Sequence, residues 1–205
     1  MRILGLDAAG AWLSACLIED GVVLAEQECL AVFGQPAILP GLVAAVLERR
    51  QGGVDHIAAG IGPGGFTGIR TALALAHGLA NGRGVGVSGV SILAALPFLL
   101  DNPQGRAVWA AIDNRRGGIF LLRPDALPAS LAEAALPAPQ APILLGGSGA
   151  AVAAARLLAR GAPVALGSLR GSVARGVALA AAAGLRTGEA SPPALPLYID
   201  QPAVT

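Results

Sequence analysis

Short apolar runs closed by polar stops mark the first part of the chain. Residues 2–6 form such a run, stopped by Asp7, and residues 11–18 and 22–30 make a hairpin through Glu19, Asp20 and Gly21. Three strands therefore precede any helix. Residues 36–50 then carry a helical pattern opened by Pro36, with Ile38, Leu39, Leu42, Val43, Val46 and Leu47 on one face and Arg49, Arg50 and Gly52 at the end. Residues 54–60 read as a strand, 67–81 as a helix, 84–87 as a strand and 91–100 as a helix. This βββαβαβα order predicts an α/β layered domain.

A turn-rich break, Asp101 to Gly105, follows, and the opening arrangement then recurs. Residues 106–112 are an apolar run ending at Asp113, followed by a turn at 114–118 and a second strand at 119–123. The similarity of "RILGLD" to "RAVWAAID" is weak as sequence, yet each is a strand with an aspartate at its carboxyl end leading into a hairpin. That repetition implies a duplicated fold, with lobes over residues 1–101 and 102–205. Residues 124–142, rich in Ala and Pro, have no firm period and read as a surface excursion. Beyond them the pattern gives a strand at 143–145, a helix at 148–160 with Ser148 as its cap, a short strand at 164–166, an Ala-rich helix at 172–186 and an extended tail.

Composition narrows the function classes. The chain of 205 residues is 54% hydrophobic and 13% charged, but its longest uncharged stretch, 134–155, is broken by three prolines and three glycines and does not read as a membrane span. Asp7 arrives too early for a signal-peptide core, so the cytoplasm is the expected location. Pairing Ile18 with Val22 would put Cys16 opposite Leu24, well short of Cys29, so the two cysteines read as reduced thiols. The net charge of +1 and the single Tyr and four Phe give no broad basic field or stacking platform for nucleic acid. All 14 cations are arginines, and the missing lysine excludes a Walker lysine and a Schiff base.

The stretch "GIGPGGFTGIR", residues 60–70, contains GxGxxG after a strand and before a helix. A dinucleotide site needs an acidic residue about 20 positions later, and none occurs between Asp55 and Asp101. Two readings stand. The amides of Phe66, Thr67 and Gly68 can form an anion site assisted by Arg70, or the glycines serve close backbone packing. In the helix that follows, Ile69, Leu73, Ala76 and Ala80 line one face and Gly68, Ala72, Leu75 and Leu79 the other. A helix apolar all round needs cover on both sides, from the sheet and from a second helix or a partner chain.

Asp7 and Asp113, at equivalent strand ends, can hold a magnesium nucleotide between the lobes or accept local amide hydrogen bonds at chain turns. Ala8 and Ala9 supply no hydroxyl for a phosphate. Neither His56 and His77 nor Cys16 and Cys29 have zinc-site spacing, and "GGSGA" misses the GxSxG elbow.

"RILGLDAAGAWLSACLIEDG", "ILP", "GIGPGGFTGIRTALALAHGLA", "GVSGVSILAA", "AAIDNRRGGIF" and "PLYI" occur in an order that resembles the TsaB/YeaZ family, most specifically at "GPGGFTGIR". The resemblance implies an actin-like (ASKHA), duplicated ribonuclease-H-like α/β fold of two lobes. It also implies a non-catalytic subunit in forming threonylcarbamoyladenosine beside the tRNA anticodon. No cofactor is then expected on this chain, and ATP and a metal belong to its partners, a TsaD-like catalytic subunit and a TsaE-like ATPase, with tRNA reached through the complex. Carried onto this sequence, the partner-binding residues are Gly64, Gly65, Phe66, Thr67, Gly68, Arg70, Thr71, Leu75, Leu42 and Val46. Asp7 and Asp113 become vestigial nucleotide or metal positions, and an exposed apolar helix face implies a homodimer when the chain is alone. The family often has Thr or Ser at position 8, His near 34 and Glu at 118, where this chain has Ala8, Gly34 and Gly118. The alternatives are an actin-fold ATPase or sugar kinase and a glycoprotease-type metallopeptidase.

Overall fold

The computed structural model describes residues 1–31, 33–48, 52–188 and 192–199. Its first elements are β1 (Arg2–Asp7), β2 (Trp12–Glu19), β3 (Val22–Leu30), α1 (Gln35–Glu48), β4 (His56–Gly60), α2 (Phe66–Arg83), β5 (Gly86–Val90) and α3 (Ile92–Ala95). There follow β6 (Ala107–Asp113), β7 (Gly118–Leu122), β8 (Ala129–Ala132), β9 (Ile143–Gly146), α4 (Ala150–Leu158), β10 (Val164–Leu166) and α5 (Val173–Thr187). The strands form two sheets, ordered β3-β2-β1-β4-β5 and β10-β9-β6-β7-β8. In each, the strand that ends in aspartate is central, antiparallel to the next strand and parallel to the fourth. The duplication read from the two aspartate hairpins is therefore the architecture.

Several expectations need correction. The segment 124–142 is not merely an excursion, for it holds β8, the counterpart of β3, with a 3-10 turn after it. Four residues of Ala, Ser and Leu on a sheet edge are too short to show a period. Residues 91–100 give only the single turn α3 and a 3-10 turn at Leu96–Leu99, because Pro97 has no N–H for an α-helical bond. β5 begins at Gly86 rather than 84, since Gly84 ends α2 in the left-handed conformation (φ 66°). The β2–β3 register shifts at Leu17/Ile18, so Ile18 faces Val23 and Cys16 faces Glu26, not Leu24; both cysteines are free. Arg49 and Arg50, expected at the end of α1, lie outside the described residues.

The division at 101/102 is also corrected. One compact unit is Met1–Phe98 with Gly171–Leu197, and the other is built on Leu99–Arg170. The C-terminal helix α5 thus belongs with the first sheet, packed on β1 and β2. Polar groups explain the return: the amide of Ser172 donates to Glu26 Oε1 (2.6 Å) and that of Ala174 to the buried Ser14 Oγ (3.0 Å), satisfying donors a helix start leaves open. Arg175 adds an ion pair to Glu26. Burial pushes the Glu26 carboxyl up, but Ser172 and Arg175 outweigh it and hold the carboxyl below its ordinary value.

On the opposite face α1 covers β2 and β3, α2 covers β4 and β1, and the two helices touch. Val43 and Val46 are buried in α1, and Leu39 joins Ala8, Leu13 and Ala72 in one cluster. The core of the second unit lies between its sheet and α4, around Trp109, Leu121, Leu145, Ala153 and Leu157.

At Gly5 an added methyl would overlap the Ala174 carbonyl and lie 2.9 Å from Ala178 Cβ, whereas at Gly78, inside α2, it would meet nothing. Gly5→Ala is expected to lower stability by about 1–3 kcal/mol, and Gly78→Ala to raise it by about 0.5–1 kcal/mol. Urea denaturation of both variants measures the difference; equal effects would contradict the close packing of α5 on β1.

Candidate functional site

The glycine loop is built against the Asp7–Ala9 turn. The Gly65 amide donates to the Ala9 carbonyl (2.7 Å), and the Ile69 amide to the Gly65 carbonyl (3.0 Å). A side chain at Gly64 would collide with Ala9, and one at Gly68 with the Ala8 carbonyl. The glycines are thus sites of backbone-on-backbone contact. Arg70, the cation that would assist an anion here, lies 3.8 Å over the Phe66 ring. Of the two readings of the loop, the packing supports the structural one.

Pinning the loop this way fixes the start of α2 beside α1 and leaves a groove of about 490 Å³ between the helices. Its walls are Pro36 and Pro40 of α1 and Phe66, Thr67, Arg70, Thr71, Ala74 and Leu75 of α2. Thr71 Oγ1 donates to the Thr67 carbonyl one turn back (2.9 Å), spending its hydroxyl on the helix. The surface is therefore largely apolar, with one exposed cation, Arg70. An open apolar depression with a charge at its rim suits contact with another surface.

The residues expected to bind a partner divide between this groove and the interior. Phe66, Thr67, Arg70, Thr71 and Leu75 line it, and Gly64 and Gly65 are exposed beside it. Val46 has no exposed surface and Gly68 is buried, so neither is part of the open face. Leu42 is half-buried against the cluster of Ala8, Leu39 and Ala72. The face Gly68, Ala72, Leu75 and Leu79, for which the sequence allows either a second helix or a partner chain as cover, is inward or half-covered, because α1 packs there. The open stripe is instead Thr67, Arg70, Ala74 and Gly78. Pro36, Pro40 and Ala74 were missed; a proline inside a helical pattern, four residues after another, marks a solvent-facing edge, since it cannot donate to the carbonyl of residue 36.

Asp7 and Asp113 both serve their own turns. Asp7 is 1% exposed, accepts from the Ala9 amide (3.2 Å), and lies against Gly60, whose missing side chain makes room for its Oδ1. Asp113, exposed, accepts from the Arg115 amide (2.7 Å), while its own amide donates to Ser148 Oγ (3.2 Å). Ser148 is consequently not the cap of α4; Gly149 holds that position. Ser172 does cap α5, accepting from the Arg175 amide. His56 Nε2 pairs with Ser88 Oγ (2.9 Å), and burial lowers its pKa. Burial, with Glu26 beside it, pushes the Cys16 thiol up to about 12 against the opposing Arg175, so it is inert as a nucleophile. Among the described residues no three His, Cys, Asp or Glu side chains gather as a metal site.

Burial pushes the Asp7 carboxyl up to about 7 against the amides of Ala9 and Ala8, which lower it. The folded chain then holds this proton between the ordinary carboxylate value of 3.8 and about 7, while the unfolded chain releases it. Stability from this group is present at low pH and lost as pH rises through that window. Asp7→Asn should flatten this slope, gaining on the wild type by an amount on the order of 2–4 kcal/mol near pH 8 and little near pH 4. Denaturation midpoints across pH 4–8 measure it, and parallel curves for the two proteins would refute the assignment.

Residues 37–138 match the family model described as TsaD, tRNA N6-adenosine threonylcarbamoyltransferase. Over 124 residues the chain is 36% identical to tRNA threonylcarbamoyladenosine biosynthesis protein TsaB of Escherichia coli (strain K12), covering 58% of this chain and 53% of that relative, about half its length. Two solved structures from Pseudomonas aeruginosa match nearly end to end at 28% identity. One is described as similar to the peptidase YEAZ (TM-score 0.79, 97% of this chain and 99% of that one), the other as YeaZ (TM-score 0.76, 96% and 99%). A sugar kinase of the actin-like class, the ROK hexokinase of Thermus thermophilus, agrees in fold alone (TM-score 0.53, 12% identity, 88% of this chain and 98% of that one). Its paired aspartate-ended sheets, its "GPGGFTGIR" loop and these matches together support the TsaB/YeaZ family for this chain.

Proposed function

We propose that this chain is a non-catalytic subunit in the formation of threonylcarbamoyladenosine on tRNA, and that it docks a TsaD-like catalytic chain through the open face of α1 and α2. The observation that carries the reading is the groove between those helices: apolar walls of Pro36, Pro40, Phe66, Ala74 and Leu75 with Arg70 at the rim. Such a face suits a protein partner that brings apolar anchors and an acidic group for Arg70. The names of the relatives supply the pathway.

The aspartates add support. Asp7 is enclosed and followed by Ala8, and Asp113 is engaged in its own hairpin, so each has a structural task of its own. ATP and a metal would then be held by the TsaD-like chain and a TsaE-like ATPase, with tRNA reached through the assembly in the cytoplasm. No helix among the described residues is long and apolar enough to cross a membrane. With the catalytic partner absent, a second copy would use the same face.

Reconstitution tests this directly. The purified chain alone should neither turn over ATP nor modify tRNA, and it should restore modification when added to its TsaD-like and TsaE-like partners. ATP turnover by the single chain that Asp7→Ala abolishes would reverse the reading. Ala74→Glu, an exposed groove position, should weaken binding to the TsaD-like chain by about tenfold or more while leaving the fold intact. Unchanged affinity would move the contact off this face.

A further inference from the structure

The tail after α5 does more than end the chain. Pro192–Leu197 crosses from the open edge of the first sheet to the foot of α2 through a set of separate contacts. At one end the Gly89 amide, on the edge strand β5, donates to the Pro192 carbonyl (2.9 Å). In the middle Ala194 is buried, and His77 of α2 meets its carbonyl through Nε2 (2.9 Å). A carbonyl only accepts, so Nε2 carries the hydrogen. At the far end the Leu197 amide donates to the Ile61 carbonyl (2.8 Å), while the Ile61 amide donates to Val90 (3.0 Å).

Two glycines make room for the tail. A side chain at Gly89 would lie 2.5 Å from the Pro193 carbonyl. One at Gly62 would lie 3.2 Å from the Leu197 carbonyl and 2.8 Å from Ile69 Cδ1 of α2. Ile69, Leu73 and His77 are spaced i, i+4, i+8, so they share one flank of α2. Its other flank faces α1, through Ala72 and Leu75. The helix that forms one wall of the groove is thus held between α1 and the tail.

We propose that Pro192–Leu197 is a clasp whose seating sets the position of α2, and through it the groove between α1 and α2. Residues at a sheet edge present unpaired backbone groups, and the Pro192 carbonyl occupies one of them at Gly89. When the clasp lifts, the Leu197 bond to Ile61 and the His77 contact open together, and α2 is left resting on α1 and the sheet. The consequence for a docked partner rests on the function proposed above; the clasp itself does not.

Hydrogen-deuterium exchange on the full-length chain tests it. Ala194→Glu puts a charge in a buried position and should lift the clasp, whereas Leu195→Glu, at an exposed neighbour, should not. In Ala194→Glu the amides of Gly89 and Leu197 should exchange at least about tenfold faster, the amides of residues 69–80 should follow, and α4 of the second unit should be unchanged. Affinity for the TsaD-like chain should fall in parallel. His77→Ala, which removes one contact without adding a charge, should give a smaller change in the same direction, and it decides the question should Ala194→Glu alter α4 as well. Faster exchange at Gly89 and Leu197 with α2 unaffected, or full protection of both amides in Ala194→Glu, overturns the proposal. If the wild-type chain does not bind the TsaD-like chain at all, the docking face is lost and the exchange result still judges the clasp.

Discussion

The contact between the Asp7–Ala9 turn and the backbone of the glycine loop sets the position of nearly everything else in the first unit. Ala8 and Ala9 present carbonyls to Gly68 and Gly64 at a separation no side chain tolerates, and the Gly65 amide closes the contact. Because the loop opens directly into α2, the helix start can sit in only one place relative to β1. That placement brings Ala72 onto Ala8 and Leu39, seats α1 alongside, and leaves the groove. The glycines of this loop are therefore spatial rather than chemical, and a phosphate is not needed to explain them.

The same turn accounts for the state of Asp7. To let the loop approach, the chain turns inward at the end of β1 and takes the carboxylate with it, under Gly60 and away from water. Its proton affinity rises because burial opposes the charge more than two amides favour it. Asp113 ends the equivalent strand of the second unit, but there the turn faces solvent and the carboxylate organises a hairpin. One ancestral position thus has two environments, and what separates them is what packs above each turn.

Much of the architecture was legible from periodicity. The hairpins, α1, α2, α4 and α5 follow apolar spacing, and the repeated strand-aspartate-hairpin carries the duplication in the sequence itself. Legibility failed where elements are short or where long-range contacts choose the outcome. β8 offers four small residues on an edge, the bulge at Leu17/Ile18 leaves no compositional mark, and the N-cap of α4 moved to Gly149 because Asp113 claims the Ser148 hydroxyl. The placement of α5 with the first sheet depends on Glu26 and Ser14, roughly 150 positions earlier, and no local pattern connects them.

The candidate site divides along the same line. An almost uncharged α2 with a glycine-rich start, no lysine anywhere and no acid to hold a ribose follow from residue identities alone, and together they direct attention to protein contact rather than nucleotide chemistry. Helical periodicity could show that α2 is apolar all round, but not which faces are taken. Packing settled that: α1 covers Ala72 and half of Leu75, the tail covers the flank of Ile69 and His77, and Thr67, Arg70 and Ala74 are left with Pro36 and Pro40 to form the groove. Which side of a helix faces solvent is decided by neighbours far off in the chain, so an isolated segment carries no record of it.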